Sequence, residues 1–124
     1  MSDTPTILVV DDDDDCRSII ADLLEMSGYA VLSCGSAQAA VDLARQHHPA
    51  LVLADFIMPG ADGAWLIQSL RSAGDALADV PVVLTTGSSA GREIAASLGI
   101  RALEKPFDMK LLLDVVRRTA RTSP

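Results

Sequence analysis

The sequence predicts an α/β domain built around a parallel β-sheet. Short apolar runs alternate with helix-period segments in five strand–helix units along the 124-residue chain. The predicted strands are apolar throughout instead of alternating with polar residues, and this pattern favours a sheet covered by helices on both faces. Hydrophobic residues make up 49% of the chain and aromatic residues only 3%, so the core of this domain-sized chain must be aliphatic.

The first two units lie before residue 50. Residues 6–10 (TILVV) form a short apolar run, rich in β-branched residues, that predicts a buried strand. A second strand is predicted at 29–34, and Ser36 can cap the helix that follows it. The first helix is predicted over 16–26, and Gly28 is suited to a left-handed cap behind it. Its apolar residues at helical spacing are Ile19, Ile20, Leu23 and Leu24.

The remaining units repeat this alternation. Strands are predicted where short apolar runs occur, at 50–54, 81–85 and 100–103. Helices are predicted at 64–72 and 89–98, and Asp108 caps a last helix. The residues of that last helix predicted to point inward are Leu111, Leu112, Val115 and Val116. The triplets MPG and ADG predict turns before the third helix, and residues 73–79 form a polar connection after it.

Five adjacent aspartates, residues 11–15, directly follow the first predicted strand. The net charge is −7, but without this run the chain has 12 acidic and 10 basic residues, so the acidity is local. It disfavours direct binding of nucleic acid and favours a cation or a basic partner. Asp14 and Asp15 fit the first turn of a helix, where negative charge meets the positive end of the dipole, with Asp13 or Asp14 as the cap.

Cysteine usage and the apolar runs indicate a cytoplasmic protein without a membrane partner. Cys16 and Cys34 lack zinc-type spacing with other cysteines or histidines, so both are interpreted as reduced thiols. The N-terminal residues MSDTPT lack the basic and apolar regions of a secretory signal. No apolar run approaches the ~18 residues that a membrane span requires.

Chemically capable side chains follow four of the five predicted strands. They are Asp11 and Asp12, then Asp55, then Thr85 and Thr86, and finally Lys105. In open parallel sheets, sites lie at the carboxyl ends of the strands, so these residues can converge on one edge. Neighbouring carboxylates need a counter-cation, and a few carboxylate ligands suit Mg²⁺. An aspartate beside a metal, a lysine and a hydroxyl is equipped for phosphoryl transfer.

Each of these residues also has an ordinary structural interpretation. A single aspartate after a strand is commonly a helix cap, a single threonine a turn residue, and a single lysine a solvated charge. The functional interpretation therefore depends on the joint placement of all of them at one sheet edge.

Together these segments resemble the receiver domain of two-component response regulators. The resemblance covers about residues 6 to 120 and rests on ILVVDDD, LVLADFIMPGADG, PVVLTTG and EKPF, which stand in the family's order and spacing. It implies a flavodoxin-like (βα)5 fold, a five-stranded parallel doubly wound sheet in the order 2-1-3-4-5. It also implies that residues 1–124 form a single receiver domain that accepts a phosphoryl group from a phosphohistidine in a Mg²⁺-dependent reaction.

The resemblance assigns the acidic residues to the phosphoacceptor and its metal. Asp55 matches the phosphoacceptor aspartate, which also binds the metal. Asp12 matches the acid that binds Mg²⁺ directly, and Asp11 matches its neighbour, which acts through a water molecule. Ile57 would supply a backbone carbonyl to the ion, and Mn²⁺ could substitute for Mg²⁺.

The resemblance assigns phosphoryl binding to the residues after the last two strands. Thr86, rather than Thr85, matches the hydroxyl residue, and Gly87 behind it permits close approach of the phosphoryl group. Lys105 matches the family's lysine, and its peptide bond to Pro106 is a candidate cis bond.

Two features depart from the family's usual pattern. Many receivers carry Tyr or Phe three residues before the lysine, a ring that moves inward when the threonine engages the phosphoryl group, whereas this chain has Ala102. The absence of this ring is similar to receivers of hybrid kinases and of some single-domain regulators. Without the ring, the output signal requires another route. Ile57 and Ser88 stand at positions that tune dephosphorylation and offer no acid or amide to hold water, which predicts slow autodephosphorylation.

The partners implied by the resemblance are a sensor histidine kinase or a histidine phosphotransfer protein. Docking is expected on the first helix, residues 17–26, which borders the site. The family also implies a monomer or a weak homodimer.

Three alternatives compete with a phosphorylated receiver. A haloacid-dehalogenase-type phosphatase would use Asp11 as its nucleophile. Such an enzyme needs a further acidic pair after a later strand, and no such pair follows Thr85. A calcium loop would use Asp11, Asp13, Asp15 and Asp22, but Cys16 stands where the turn needs glycine. A receiver that is never phosphorylated could serve as a docking module instead.

Overall fold

A five-stranded parallel sheet flanked by helices forms the described part of this computed structural model, residues 4–58, 60 and 62–120. The strands are β1 (Thr6–Val10), β2 (Ala30–Cys34), β3 (Leu51–Asp55), β4 (Val82–Thr86) and β5 (Arg101–Glu104). The helices are α1 (Asp14–Met26), α2 (Ala37–His47), α3 (Gly63–Ser72), α4 (Ser89–Ser97) and α5 (Met109–Thr119). The strand order is β2-β1-β3-β4-β5, so the predicted doubly wound fold is confirmed.

Separate aliphatic clusters cover the two faces of the sheet. Leu8 and Val10 of β1 join the cluster packed against α2 and α3, whereas Ile7 and Val9 join the cluster packed against α1 and α5. Both faces are therefore buried, which explains why the strands appear in the sequence as continuous apolar runs. No helix among the described residues has both the length and the apolar character needed to cross a bilayer.

Three strands end one residue later than the sequence predicts. The prediction placed them at 50–54, 81–85 and 100–103, following the apolar runs, whereas a parallel ladder pairs backbone groups and continues into polar residues. The ladder pairs Asp55 with Thr85 and Thr86 with Glu104. Candidate site residues therefore lie on the strand ends themselves, where the sheet fixes their backbone positions.

Helix α1 begins within the acidic run, at Asp14, two residues earlier than predicted. The Asp13 carboxylate accepts hydrogen bonds from the N–H groups of Asp15, at 3.0 Å, and Cys16, at 3.3 Å. Asp13 is therefore the cap, and Asp14 and Asp15 occupy the first turn as expected. The predicted cap Ser36 likewise accepts the N–H of Ala39 at 3.2 Å.

The prediction that Leu111 points inward is wrong. Asp108 does cap α5, accepting the N–H of Leu111 at 2.7 Å. Leu112, Val115 and Val116 share the buried face, but Leu111 lies about 100° from Leu112 around the helix and is 46% exposed. The polar connection at 73–79 also contains a short 3-10 helix, Asp75–Asp79.

The loop between β3 and α3 is only partly described. Of the predicted turn triplets MPG and ADG, Pro59 and Ala61 lie outside the described residues. Gly60 has a φ of +82°, a left-handed conformation that favours glycine, and Asp62 caps α3 by accepting the N–H of Trp65 at 3.0 Å.

Gly63, the first residue of α3, should tolerate no side chain. A Cβ atom there would lie 2.8 Å from Leu84 Cδ2 and 3.1 Å from the carbonyl oxygen of Asp55. We expect Gly63→Ala to lower the free energy of unfolding by about 1–3 kcal/mol, as overpacking does, measured by urea denaturation. The matched control is Gly87→Ala, whose Cβ would meet nothing within 4 Å. Equal stability of the two variants would contradict this tight contact.

Candidate functional site

Three carboxylates gather at the carboxyl edge of the sheet. Asp11 and Asp12 follow β1, and Asp55 ends β3, the neighbouring strand. One carboxylate oxygen from each residue lies within 4.8 Å of those of the other two. The register pairs Val10 with Ala54, so the next residues of both strands emerge side by side. The predicted convergence of these three carboxylates is confirmed.

Asp11 is a buried, fully engaged acid. Its side chain is 2% exposed, and its N–H continues the ladder by donating to the Cys34 carbonyl at 3.1 Å. Its Oδ1 accepts the N–H of Asp13 at 2.9 Å, and its Oδ2 lies 3.5 Å from Lys105 Nζ. Asp12, by contrast, is exposed. Asp11 is therefore fixed by the protein, while Asp12 faces solvent and can take an ion that keeps water ligands.

Lys105 joins β5 to the acidic cluster. Its Nζ donates to Asp55 Oδ2 at 3.1 Å, and its N–H donates to the Thr86 carbonyl at 2.8 Å, extending the sheet. The Lys105–Pro106 peptide bond is cis. One ammonium group is thus held against two carboxylates from two other strands.

Burial and neighbouring charges shift the pKa values of Asp55 and Lys105. Burial raises the pKa of Asp55 above its ordinary value, although the hydrogen bond and charge of Lys105 oppose that shift. Burial would lower the pKa of Lys105, but the hydrogen bond and charge of Asp55, together with the charge of Asp11, outweigh burial and raise this pKa. Three acids beside one lysine leave surplus negative charge at the edge, which a divalent cation would neutralise.

The donor set fits Mg²⁺. Hard carboxylate oxygens from a few residues, on a side open to water, are the ligands this ion takes in proteins. The Asp11, Asp12 and Asp55 cluster supplies such oxygens, so it could hold a metal ion. Ile57, the predicted carbonyl donor, lies two residues after Asp55 with its side chain 64% exposed.

The hydroxyl of Thr86 is hydrogen bonded away from the carboxylates. Thr85 and Thr86 are both buried at the end of β4. Thr86 Oγ1 accepts the N–H of Ser88 at 3.1 Å and lies 3.2 Å from the Ser88 carbonyl oxygen. On the adjacent strand, Ala102 pairs with Leu84 and is partly buried. The structure therefore brings Thr86 to the predicted sheet edge, but its hydroxyl is hydrogen bonded to Ser88.

Two side chains of α1, which the sequence pattern did not place there, neighbour the acidic cluster. Arg17 Nη1 donates to the Asp11 carbonyl at 2.7 Å, and its other terminal nitrogen pairs with the Asp14 carboxylate. Cys16 lies beside Asp11, and burial, with a hydrogen bond to the Asp11 carboxylate, raises the pKa of its thiol to about 11. The spacing of Asp14 and Arg17, three residues apart on a predicted helix, was an available signal for the ion pair.

Comparison with known proteins decides the family. The family model for the response regulator receiver domain matches residues 7–117. The chain belongs to the response regulator receiver domain family. A receiver domain of two-component signalling is a phosphoacceptor rather than a conventional enzyme, and this one carries the acidic triad Asp11, Asp12 and Asp55.

Individual relatives support this membership. The receiver is 37% identical over 122 residues to the response regulator MprA of Mycobacterium sp. (strain KMS), an alignment that covers 95% of this chain and 52% of that relative. It is 33% identical to the solved receiver domain of the hybrid histidine kinase CckA, with a TM-score of 0.76 and coverage of 91% and 96%. Chemotaxis protein CheY4 of Vibrio cholerae shares the fold, with a TM-score of 0.85 at 23% identity and coverage of 94% and 98%. The chain spans about half the length of the curated relatives it matches.

Membership in the receiver family disfavours two of the alternative functions, the phosphatase and the calcium loop. A phosphatase nucleophile at Asp11 is also disfavoured because both carboxylate oxygens of this buried residue are already engaged. The calcium loop is wrong because Asp13 caps α1 and Asp15 lies inside its first turn.

Proposed function

We propose that this receiver accepts a phosphoryl group on Asp55 from a phosphohistidine of a sensor histidine kinase or a histidine phosphotransfer protein. It then signals through conformational change or protein interaction. The observation that carries the proposal is the Asp55 carboxylate, 3.1 Å from Lys105 Nζ and grouped with Asp11 and Asp12. A nucleophile, a fixed cation and a set of metal ligands are the parts that phosphoryl transfer to a carboxylate requires.

In this reaction Asp55 is the nucleophile. A carboxylate oxygen of Asp55 forms a bond to phosphorus as the bond from phosphorus to the donor histidine nitrogen breaks, and the electron pair remains on that nitrogen. Lys105 neutralises negative charge that develops on the phosphoryl oxygens. Because Asp11 shares the ammonium group with Asp55, it holds Lys105 over the reacting carboxylate.

Mg²⁺, or Mn²⁺ in its place, would be held by Asp12, Asp55 and the Ile57 carbonyl, and by Asp11 through a water molecule. When bound, the ion supplies further positive charge to the phosphoryl oxygens. Thr86 would donate its hydroxyl to a phosphoryl oxygen. Space for that oxygen exists at exposed Gly87, where even an added Cβ would meet nothing within 4 Å.

An apolar cleft beside the site fits the phosphodonor. The cleft has a volume of about 530 Å³ and lies between α1 and the segment that leads from Lys105 to α5. Ile19, Phe107 and Met109 line it, and Ile19 is 54% exposed. Lys105 lines both the cleft and the acidic cluster, so a helix that carries the phosphohistidine and docks here would place its phosphoryl group near Asp55. This extends the predicted docking surface from α1 to the Phe107 segment.

Ile19→Glu should separate docking from chemistry. We expect the rate of transfer from a phosphorylated donor protein to fall about tenfold or more, because a buried charge replaces an apolar contact. Labelling by acetyl phosphate, which needs no protein contact, should be unchanged. The matched control is Met26→Glu, since Met26 is 84% exposed on the same helix and does not line the cleft. Equal losses in both variants would contradict docking in the cleft.

Several further properties of this chain belong to the same proposal. We propose a single receiver domain over residues 1–124 with a core of about 6–120, located in the cytoplasm. It acts as a monomer or weak homodimer and does not bind nucleic acid directly. Autodephosphorylation is slow because Ile57 and Ser88 present no acid or amide that could hold the attacking water.

Incubation with acetyl phosphate and Mg²⁺ tests the proposal. Addition of one phosphoryl group should raise the mass by about 80 Da. A phosphoryl half-life of only seconds would contradict slow autodephosphorylation. No mass shift, beside a control receiver that is labelled, would favour a docking module that is never phosphorylated.

A further inference from the structure

We propose that a basic cleft at the amino edge of the sheet, where the strands begin, binds a small molecule that carries two adjacent phosphate groups. The cleft has a volume of about 590 Å³ and is formed by the starts of β4 and β5 and the last turns of α3 and α5. Its lining residues are Arg71, residues 81–82, residues 99–101, Arg118 and Thr119. The acidic cluster lies at the opposite edge, so this second site does not depend on phosphorylation of Asp55.

Positive charge is concentrated in this cleft. Three of the ten basic residues of the chain, Arg71, Arg101 and Arg118, line it, and none of the described lining residues is acidic. This concentration occurs in a chain whose net charge is −7. Guanidinium groups bind phosphate oxygens through paired N–H donors, and several of them together match a ligand with at least two negative charges.

Hydrogen bonds hold two of these guanidinium groups and still leave donors for a ligand. Arg71 Nη1 donates to the carbonyl oxygen of Val80 at 2.7 Å, which fixes this group beside the start of β4. Arg118 Nε lies 3.3 Å from Asp114 Oδ1. Because an arginine carries five N–H donors, both groups keep donors on their other nitrogens.

Arg101 is the arginine that the fold itself explains least. Arg71 and Arg118 lie in the last turns of α3 and α5, where positive charge also complements the helix dipole. Arg101 is instead the exposed first residue of β5, and its side chain forms no hydrogen bond or ion pair with another described residue. All of its donors are therefore available to an anion in the cleft.

Thr119 adds an unsatisfied hydroxyl group to the wall of the cleft. Its Oγ1 is buried and has no hydrogen-bond partner within the described part of the chain. Buried polar side-chain atoms in proteins are nearly always hydrogen bonded, so this atom indicates a partner that the protein does not supply. A threonine in a helix has two favoured χ1 rotamers, which allow its hydroxyl to reorient toward a ligand oxygen.

The size of the cleft and its apolar wall suit a ligand larger than a single phosphate ion. Small-molecule sites commonly have volumes of about 300–1,000 Å³, a range that includes this cleft. Pro81 and Ile100 are half-buried in its wall, and a Cβ added at Gly99 would meet nothing within 4 Å. A nucleoside diphosphate could place its phosphates on the arginines and its apolar part against Pro81 and Ile100.

Titration of the full chain with pyrophosphate, followed by ¹H–¹⁵N NMR spectra, tests this site. The titration is made without divalent cations, so that no metal at the acidic cluster can bind the probe. We expect saturable shifts of the amide signals of residues 99–101 and 119, with a dissociation constant of about 1 mM or lower. No saturation, or shifts confined to residues outside the cleft, would overturn the proposal.

Two arginine variants distinguish a specific site from general attraction to positive charge. Arg101→Gln should weaken pyrophosphate binding about tenfold, because it removes a charged, paired donor. The matched control is Arg45→Gln, at an exposed arginine in the last turn of α2 that does not line the cleft, and its affinity should equal that of the wild type. If the two variants bind pyrophosphate equally, whether both are weakened or neither is, the proposal is overturned.

ADP, titrated in the same way, identifies the source of the two phosphate groups. A lower dissociation constant than that of pyrophosphate would support a nucleoside diphosphate whose apolar part contacts Pro81 and Ile100. Equal dissociation constants, with shifts at the same amides, would support recognition of the diphosphate group alone.

Discussion

Asp55→Asn should abolish phosphorylation of this receiver. Asparagine has nearly the same shape and can still accept a hydrogen bond from Lys105, but its amide oxygen is not a nucleophile that forms a stable acyl phosphate. With acetyl phosphate and Mg²⁺, we expect the labelled fraction to fall on the order of a hundredfold or more, measured by intact-mass spectrometry.

The control for this variant is Asp42→Asn, at an exposed position of α2. It makes the same chemical change away from the sheet edge and should be labelled at the wild-type level. Circular dichroism should show that both variants are folded. Normal labelling of Asp55→Asn by its own kinase would show that the phosphoacceptor is another residue.

Adding Mg²⁺ should raise the melting temperature of the receiver. Without a divalent cation, the three clustered carboxylates have one lysine, which pairs with two of them, so the acidic corner carries unbalanced charge. A ligand at 100 times its dissociation constant stabilises a fold by about 2.7 kcal/mol, which corresponds to a rise of several degrees for a domain of this size. Thermal melts with increasing Mg²⁺ measure this directly.

Two controls distinguish binding at the triad from general screening. NaCl at matched ionic strength should give little of the rise, because screening acts weakly on partly buried charges. Asp12→Ala removes the exposed acid of the triad while leaving buried Asp11 in place, and it should lose most of the rise. A Mg²⁺ response that persists undiminished in this variant would place the ion elsewhere.

The sequence pattern predicted a parallel sheet covered on both faces, whereas the strand order was implied by the family resemblance. Continuous apolar runs required cover on both faces, and the structure supplies it with two aliphatic clusters. Placing chemistry at strand ends found Asp11, Asp55 and Lys105 without coordinates, since parallel strands present their carboxyl ends at one edge. Periodicity located the helices but did not fix which residues at the edge of the apolar face are buried. Leu111 was therefore predicted to point inward, whereas of the two adjacent leucines Leu112 is buried and Leu111 is exposed.

Features that depend on three-dimensional contact could not be found in this way. The Arg17 contact to the Asp11 carbonyl and the packing of Gly91 on Thr86 join separate elements. Glycine in a predicted helix indicates only that a side chain is absent, and the coordinates identify the neighbour that requires its absence. Likewise, Ser88 was noted for its lack of an acid or amide, whereas the structure shows that it links Thr86 to the cap of α4.

The most direct test of the phosphoacceptor is to trap the acyl phosphate and map it. Protein labelled with acetyl phosphate and Mg²⁺ is treated with borohydride, which reduces an aspartyl phosphate to homoserine, and the modified residue is located by tandem mass spectrometry. We predict homoserine at position 55 alone, as expected for the carboxylate that Lys105 approaches most closely, at 3.1 Å. Homoserine at position 11 would contradict the assignment of Asp55 and would support nucleophilic chemistry at the buried acid instead.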